Sequence, residues 1–198
     1  PAVRDRFQRE AEITSKLDHP GICGIHEVGA FQDIPYIAMQ YLRGTTLAEL
    51  VHRARTQMEA GGGPGEPRAE AATTSLTGKE AMQDVLVLIE RTARALHAAH
   101  EAGLVHRDIK PGNIMVAPDG HPVLLDFGLA RDLEDQGHTI TETGQIMGTP
   151  AYMAPEQLRA LRDAIDRRTD VYALGVTLYE CLTLRRPFEA QAFEQLYS

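Results

Sequence analysis

Residues 106–128 read His-Arg-Asp-Ile-Lys-Pro-Gly-Asn-Ile-Met-Val-Ala-Pro-Asp-Gly-His-Pro-Val-Leu-Leu-Asp-Phe-Gly, and this stretch decides the fold. Two short apolar runs flank a Pro-Asp-Gly turn, in which proline presets φ and glycine accepts a positive φ. The pattern predicts a β-hairpin. Asp108, Lys110 and Asn113 precede its first strand, and Asp126 follows its second strand.

The turn also predicts a register for the hairpin. A chain that folds about the midpoint between Asp119 and Gly120 places Asn113 opposite Asp126 at the open end. An amide oxygen beside a carboxylate suits Mg²⁺, which takes one or two protein oxygens and completes its shell with water and phosphate oxygens. We therefore predict that Asn113 and Asp126 hold the metal.

The charged residues of this stretch match what phosphoryl transfer requires. That reaction needs a positioned nucleophile and neutralised phosphate oxygens, and little covalent chemistry from the protein. Asp108 can accept the proton of an attacking hydroxyl group, and Lys110 can stabilise charge on the phosphoryl group that moves. These residues, with Asn113 and Asp126, are the predicted catalytic set.

Three motifs in this order resemble a known family: His-Arg-Asp-x-Lys-Pro-x-Asn from His106, Asp-Phe-Gly from Asp126, and Ala-Pro-Glu from Ala154. The chain resembles the eukaryotic-like serine/threonine protein kinases, including the bacterial ones, and Lys110 resembles the serine/threonine branch. The resemblance implies an α+β fold with a partial β-rich N-lobe and a mostly helical C-lobe. It also implies transfer of the γ-phosphoryl group of ATP, with Mg²⁺ or alternatively Mn²⁺, to Ser or Thr of protein substrates.

The resemblance assigns further residues to the nucleotide. Met39 is expected to be the gatekeeper, and the backbone from Gln40 to Leu42 the hinge that meets adenine. Met115 is expected to form the floor under the adenine ring. Lys110, Asn113, Asp126 and Glu10 complete the predicted ATP site.

An amphipathic helix is predicted over residues 4–17, with apolar groups among charges and a Pro-Gly pair after it. By resemblance this is the regulatory helix, and Glu10 is the residue that pairs with an N-lobe lysine. Glu12 is the competing choice, and solvation of the helix surface is the alternative for both.

Other residues are expected to support the catalytic loop. By resemblance, His106 and Phe127 are packing groups of the spine that joins the lobes. Asp170 holds the backbone of the loop, although an Asp in this position can also cap a helix. Thr149 lies in the segment that receives the substrate, where it could bond to Asp108 and Lys110.

The polar stretch after Gly128 predicts a functional or solvated loop. Phosphate on Thr141 or Thr143 would add about −1.5 to −2 charges, and Arg107 is the expected cation to receive it. We therefore predict activation by loop phosphorylation, which self-association for autophosphorylation could serve. The alternative is that these threonines only solubilise the loop.

The remaining pattern predicts an antiparallel pair of strands at residues 22–28 and 36–41. Thr45 or Thr46 caps a short helix that reaches Val51. A glycine-rich, low-complexity insertion is expected at about residues 52–79. A helix follows over residues 85–99, closed by Gly103, and an apolar helix is expected over residues 171–184.

These elements suggest that residues 1–42 are a partial N-lobe with the hinge, and that residues 43–198 are a C-lobe without its last helices. Neither a glycine-rich loop nor a strand lysine precedes Glu10 in this sequence. A catalytically inactive, kinase-like binding module therefore stays open as an alternative. A small-molecule phosphotransferase is disfavoured by Lys110 and by the segment from Gly148 to Glu156.

Composition limits the other classes of function. A net charge of −8 over 198 residues predicts no nucleic-acid binding. Two widely spaced cysteines predict neither a disulfide framework nor a zinc site, and His97 with His100 is expected to be packed or solvated. No apolar run reaches the ~20 residues of a membrane span. We expect a cytoplasmic location, with any membrane anchor outside this segment.

Overall fold

The computed structural model describes residues 17–32, 34–60, 79–127, 150–159 and 164–188. The predicted helix at residues 4–17 lies almost wholly outside these ranges. So do residues 61–78, which form most of the predicted insertion, and residues 128–149.

Two strands form the first sheet, β1 (Ile25–Phe31) and β2 (Ile34–Met39). They pair antiparallel, which confirms the predicted pair. Strand β1 begins three residues later than expected, because the chain before it bonds elsewhere. Cys23 donates its N–H to the Leu124 carbonyl at 2.9 Å, and Leu124 donates to the Gly21 carbonyl at 2.8 Å.

The second sheet has the order β3 (Thr45–Thr46), β4 (Ile114–Val116), β5 (Pro122–Leu124), and all its pairs are antiparallel. Strands β4 and β5 form the predicted hairpin. The predicted register is wrong by one residue, since Ile114 lies opposite Leu124 and Val116 opposite Pro122.

The turn of the hairpin explains the shift in register. Gly120 donates to the Ala117 carbonyl, and Ala117 donates to the His121 carbonyl, each at 2.9 Å. The loop therefore has three residues and is centred on Asp119, with Gly120 at φ 78°. Three-residue hairpin loops commonly end on a residue of positive φ, which glycine adopts without strain.

The first described helix, α1 (Leu47–Glu59), is longer than predicted. Thr46 caps it by accepting the N–H of Glu49 at 3.3 Å. The predicted start of the insertion at His52 is wrong, because residues 52–59 continue this helix. Leu50, Val51 and Ala54 all lie on its buried face, so apolar burial extends the helix through the polar sequence.

In the described residues, three more helices follow: α2 (Lys79–Glu101), α3 (Pro155–Leu158) and α4 (Arg167–Thr183). Gly103, at φ 81°, follows the end of α2 as predicted. Short 3₁₀ turns occupy Pro111–Asn113 and Pro150–Tyr152. Helix α4 begins with a cap from the Asp166 side chain, so Asp170 is not the capping residue.

The core lies between α1, α2, the hairpin and α4. Its buried apolar members from these elements include Leu47, Leu50, Val51, Val85, Leu88, Leu96, Ile114, Leu124 and Ala173, and Ile109 joins them from the loop before the hairpin. Helix α4 contributes polar side chains as well, since Thr169, Asp170, Thr177 and Glu180 are all buried. Polar contacts on this inner face of α4 position the residues described below.

Leu124→Ala tests the position of the hairpin in the core. Leu124 is 1% exposed, so we expect a loss of about 2–5 kcal/mol in the free energy of unfolding. Urea unfolding measures it. The control is Leu86→Ala, which removes the same atoms from a leucine that is 49% exposed on α2 and should change stability by less than about 0.5 kcal/mol. Equal effects would contradict the described packing.

Candidate active site

The loop before the hairpin is held by one buried carboxylate. Asp170 Oδ2 accepts the backbone N–H of His106 and Oδ1 accepts that of Arg107, both at 2.8 Å. His100 Nε2 lies 2.7 Å from Asp170 Oδ2. Arg107 has φ 65°, a conformation that is costly for a non-glycine residue and persists only where neighbouring bonds enforce it. The predicted role of Asp170 is confirmed.

The ring of His106 is fully buried and bonded at both nitrogens. Asp108 N donates to Nδ1 at 3.3 Å, so Nε2 carries the hydrogen that faces the Leu125 carbonyl at 2.8 Å. Burial lowers the pKa of His106, which keeps the ring neutral. Phe127 packs on it with ring centroids 4.7 Å apart. The predicted packing role of both side chains is confirmed.

Three of the four predicted catalytic residues meet in one cluster. Lys110 Nζ lies 2.6 Å from Asp108 Oδ2. Asn113 Nδ2 donates to the same oxygen at 2.9 Å and to the Asp108 carbonyl at 2.8 Å. Lys110 and Asp108 are each about a quarter exposed, so the cluster opens to solvent on one side.

Asp126 lies near this cluster, but the hairpin register does not place it opposite Asn113. Leu125, not Asp126, pairs with Asn113 and donates its N–H to the Asn113 carbonyl at 2.9 Å. Asp126 has φ 49° and an exposed side chain. This left-handed conformation ends the extended strand, and Asp is one of the few non-glycine residues that adopt it readily.

The donor set suits a hard cation such as Mg²⁺. Asn113 uses Nδ2 toward Asp108, so its Oδ1 can serve as an oxygen ligand, and the exposed carboxylate of Asp126 belongs to the residue after Leu125, which bonds to the Asn113 carbonyl. In the described residues, no group of three His, Cys, Asp or Glu side chains could hold a metal. His97 is exposed, whereas His100 contacts Asp170, so the two side chains lie in different surroundings.

The predicted hinge lies against the same hairpin. Gln40 donates its N–H to the Gly24 carbonyl at 2.8 Å, and its own carbonyl faces the Cys23 thiol at 3.6 Å. Since Cys23 also bonds to Leu124, it links the hinge directly to the hairpin. Burial raises the pKa of the Cys23 thiol, and the negative charge of Asp126 raises it further by a smaller amount.

The other predicted nucleotide residues lie at the end of β2, just beyond the hinge, and in β4. Met39 ends β2 and is 41% exposed. Leu42 is half-buried beyond the hinge, and Met115 is half-buried in β4, opposite Val123. Their roles toward a nucleotide stay predictions.

Gln157 is a supporting residue that the sequence did not indicate. Its side chain accepts the N–H of Ala154 at 3.0 Å and donates to the Arg107 carbonyl at 2.8 Å. The Ala-Pro-Glu segment is therefore bonded directly to the loop before the hairpin. The glutamine that follows the Ala-Pro-Glu motif belongs to no recognisable pattern, so the sequence alone could not reveal its role.

Glu180 centres a second contact set that the sequence did not indicate. Its carboxylate accepts the hydroxyl of Tyr152 and pairs with Arg55 at 3.2 Å and Arg186 at 3.4 Å. Glu156 accepts the Thr169 hydroxyl at 2.7 Å, which ties α3 to the start of α4.

Several predicted residues lie outside the described ranges. They are Glu10 and its competitor Glu12, the loop threonines Thr141 and Thr143, and Thr149 of the substrate segment. Their predicted roles stay predictions.

Comparisons with known proteins agree with this geometry. The protein kinase domain family matches residues 2–198. A probable serine/threonine-protein kinase of Streptomyces coelicolor and the serine/threonine-protein kinase PknB of Mycobacterium tuberculosis are each 36% identical to this chain over 192 residues. These alignments cover 95% of the chain, but only 25% and 27% of the relatives.

A solved structure shows the same fold. The kinase domain of PknI from Mycobacterium tuberculosis superposes with a TM-score of 0.63 at 28% identity, over 95% of this chain and 59% of that one. The chain belongs to the protein kinase domain family and has its α+β fold. It spans about a quarter of the length of the two curated relatives named above. Among its described helices, none is long and apolar enough to cross a bilayer.

Asp170→Asn tests the anchor of the loop. An amide keeps the shape but loses the charge that binds two N–H groups and His100, so we expect a loss of about 3 kcal/mol in the free energy of unfolding. Urea unfolding measures it. Asp84→Asn, the same change at an exposed position of α2, should alter stability by less than about 0.5 kcal/mol. A loss no larger in Asp170→Asn than in this control would contradict the anchoring role.

Proposed function

We propose that this chain is the catalytic core of a protein serine/threonine kinase, which transfers the γ-phosphoryl group of ATP to Ser or Thr hydroxyls of protein substrates. The observation that carries the proposal is the cluster of Asp108, Lys110 and Asn113, whose loop is held in place by the buried Asp170. The names of the serine/threonine kinase relatives support it.

Asp108 is the proposed base for the substrate hydroxyl. Its Oδ2 already accepts hydrogen bonds from Lys110 and Asn113, which fix the carboxylate in one orientation. Asp108 can then orient the hydroxyl and take its proton as the phosphoryl group transfers. Lys110 lies beside this oxygen, so its ammonium group can also neutralise charge on the phosphoryl group.

Asn113 and Asp126 are the proposed metal ligands. Mg²⁺, or alternatively Mn²⁺, supplies neutralisation of the phosphate oxygens when it is bound with ATP. Asn113 offers Oδ1 because its amide nitrogen is engaged by Asp108. The hinge at Gln40 to Leu42, with Met39 and Met115, would bind the adenine, and Glu10 would support the phosphates through a lysine.

Asp108→Asn tests the proposed base. The amide keeps the size of the side chain but cannot take up the proton, so kcat should fall by about 10²- to 10⁴-fold. Steady-state transfer of phosphate to a Ser/Thr peptide measures it, with urea unfolding as a check on the fold. Asp84→Asn should retain normal kcat. A folded Asp108→Asn protein with unchanged kcat would exclude this mechanism.

A wild-type protein that binds ATP but transfers no phosphate would instead support the alternative of a kinase-like binding module. The discriminating measurements are nucleotide binding and phosphotransfer on the same preparation.

Activation by loop phosphorylation is a further part of the proposal. Arg107 lies next to Asp108, and its backbone is bonded on both sides, to Asp170 through its N–H and to Gln157 through its carbonyl. A phosphate received by Arg107 would therefore act on a loop that also carries the base. Phosphothreonine at position 141 or 143 supplies the charge for such a contact. Self-association would allow one copy to phosphorylate another.

The test combines Arg107→Ala with the phosphorylated and unphosphorylated wild-type protein. We expect phosphorylation to raise kcat/KM at least about tenfold in the wild type, since several charge-assisted hydrogen bonds form, and to have little effect in Arg107→Ala. Thr141→Ala and Thr143→Ala identify the residue concerned, and Arg91→Ala on α2 is the control for charge. An unchanged ratio of the two activities in Arg107→Ala would rule out this route.

A cytoplasmic location fits the same function, because ATP and Mg²⁺ are abundant there. Cys23 and Cys181 are free and buried, as expected of thiols in a reducing compartment. Both observations support the proposed location.

A further inference from the structure

Gln157 bonds to one particular peptide group of the loop before the hairpin, the group that joins Arg107 to Asp108. The amide nitrogen of Gln157 donates to the Arg107 carbonyl oxygen at 2.8 Å. On the opposite side of the same peptide group, the N–H of Asp108 donates to Nδ1 of His106 at 3.3 Å. Both polar ends of this peptide group are therefore bonded, and it cannot rotate without breaking these hydrogen bonds.

The side chain of Gln157 is itself held in place. Its Oε1 accepts the backbone N–H of Ala154 at 3.0 Å, and the whole residue is buried. Glu156, the residue before it, accepts the hydroxyl of Thr169 at 2.7 Å, which joins α3 to the first turn of α4. The amide group of Gln157 therefore reaches the loop from a backbone that is already attached to the interior.

Two successive residues of α4 support the loop by separate routes. Asp170 bonds to the N–H of Arg107, which belongs to the peptide group before this arginine. Thr169 supports the peptide group after it, through Glu156 and Gln157. The peptide groups on both sides of Arg107, which has φ 65°, are thus held from one turn of α4.

The contact made by Gln157 requires the chemistry of an amide. The N–H of Ala154 needs an acceptor and the carbonyl of Arg107 needs a donor, and only one orientation of the amide supplies both. An ionised carboxylate in the same place accepts but cannot donate, so it would repel the carbonyl oxygen. A thioether of similar length donates nothing and is only a weak acceptor.

The peptide group that Gln157 holds leads directly to the proposed base. Because its nitrogen belongs to Asp108, rotation of this group changes the φ of Asp108 and turns the carboxylate. The hydrogen bonds that Oδ2 accepts from Lys110 and Asn113, 2.6 and 2.9 Å long, depend on the direction of the carboxylate. A displacement of about 1 Å at a reacting group costs on the order of 10²-fold in rate.

We propose that Gln157 is a positioning residue for phosphoryl transfer, which fixes the peptide group before Asp108 and thereby the direction of its carboxylate. This inference rests on the proposed kinase function and adds a residue that acts through the base. Gln157→Met should lower kcat by about 10- to 100-fold. KM for ATP should change by less than about twofold, because the hydrogen bonds of Gln157 go to Arg107 and Ala154, outside the proposed nucleotide residues.

Two substitutions separate positioning from support of α3. Gln157→Glu keeps an acceptor for the Ala154 N–H but loses the donor to Arg107, whereas Gln157→Met loses both. Both variants should lose kcat in phosphotransfer to a Ser/Thr peptide, with urea unfolding as the check on the fold. The same two changes at Gln83, an exposed residue of α2, should leave kcat normal. Normal kcat in Gln157→Glu would limit the residue to supporting α3 and overturn the proposal.

The Asp108→Asn background tests whether Gln157 acts through the base. Residues that act as a unit have non-additive effects on rate. Adding Gln157→Met to Asp108→Asn should therefore lower kcat no further, because the carboxylate that Gln157 directs is already gone. The same fold-loss in both backgrounds would show a general structural effect and contradict the positioning role.

Amide hydrogen exchange, followed by NMR, reports the peptide group without any activity. The Asp108 amide should exchange at least about tenfold faster in both Gln157 variants, because its peptide group is free to rotate, and the Leu124 amide in the hairpin should keep its wild-type rate. An unchanged rate at Asp108 would overturn the inference and leave the kinase proposal intact. Faster exchange in a protein that transfers no phosphate would support the contact and contradict the proposed activity.

Discussion

The buried carboxylate of Asp170 is the constraint on which the rest of the site depends. It has no exposed surface and takes up two backbone N–H groups of the loop before the hairpin. A buried carboxylate is costly unless its lone pairs are satisfied. The loop satisfies it, and in return the positive φ of Arg107 is held in place. The position of Asp108 therefore depends on a buried residue of α4.

The parts predicted well are those that have a local cause. Apolar periodicity placed α2, glycine placed its end, and the Pro-Asp-Gly turn placed the hairpin. The predicted register was wrong by one residue because the Pro-Asp-Gly sequence fits both a two-residue and a three-residue loop. Only the backbone hydrogen bonds distinguish the two loops. The predicted length of α1 was wrong for a related reason. Its second half is mostly polar, so the sequence did not reveal that one face of the helix is buried in the core.

Contacts between distant residues account for what sequence alone missed. Gln157 meets Arg107 across 50 positions, and Arg55 meets Glu180 across 125. No period or turn rule links such pairs, because each depends on the packing of whole helices. Asp170 was the exception, since the resemblance to a family supplied its role. The cluster of Asp108, Lys110 and Asn113 was predictable because these residues lie within five positions of one another.

The bonds from Asp170 to the loop also order events during synthesis. His106 and Asp170 are 64 positions apart, so at about 5–20 residues per second the ribosome needs roughly 3–13 s to add the anchor after the loop. During that interval the nascent chain already contains the His-Arg-Asp motif without the group that shapes it. The site therefore cannot mature before its scaffold helix has emerged, which separates translation of the motif from its use.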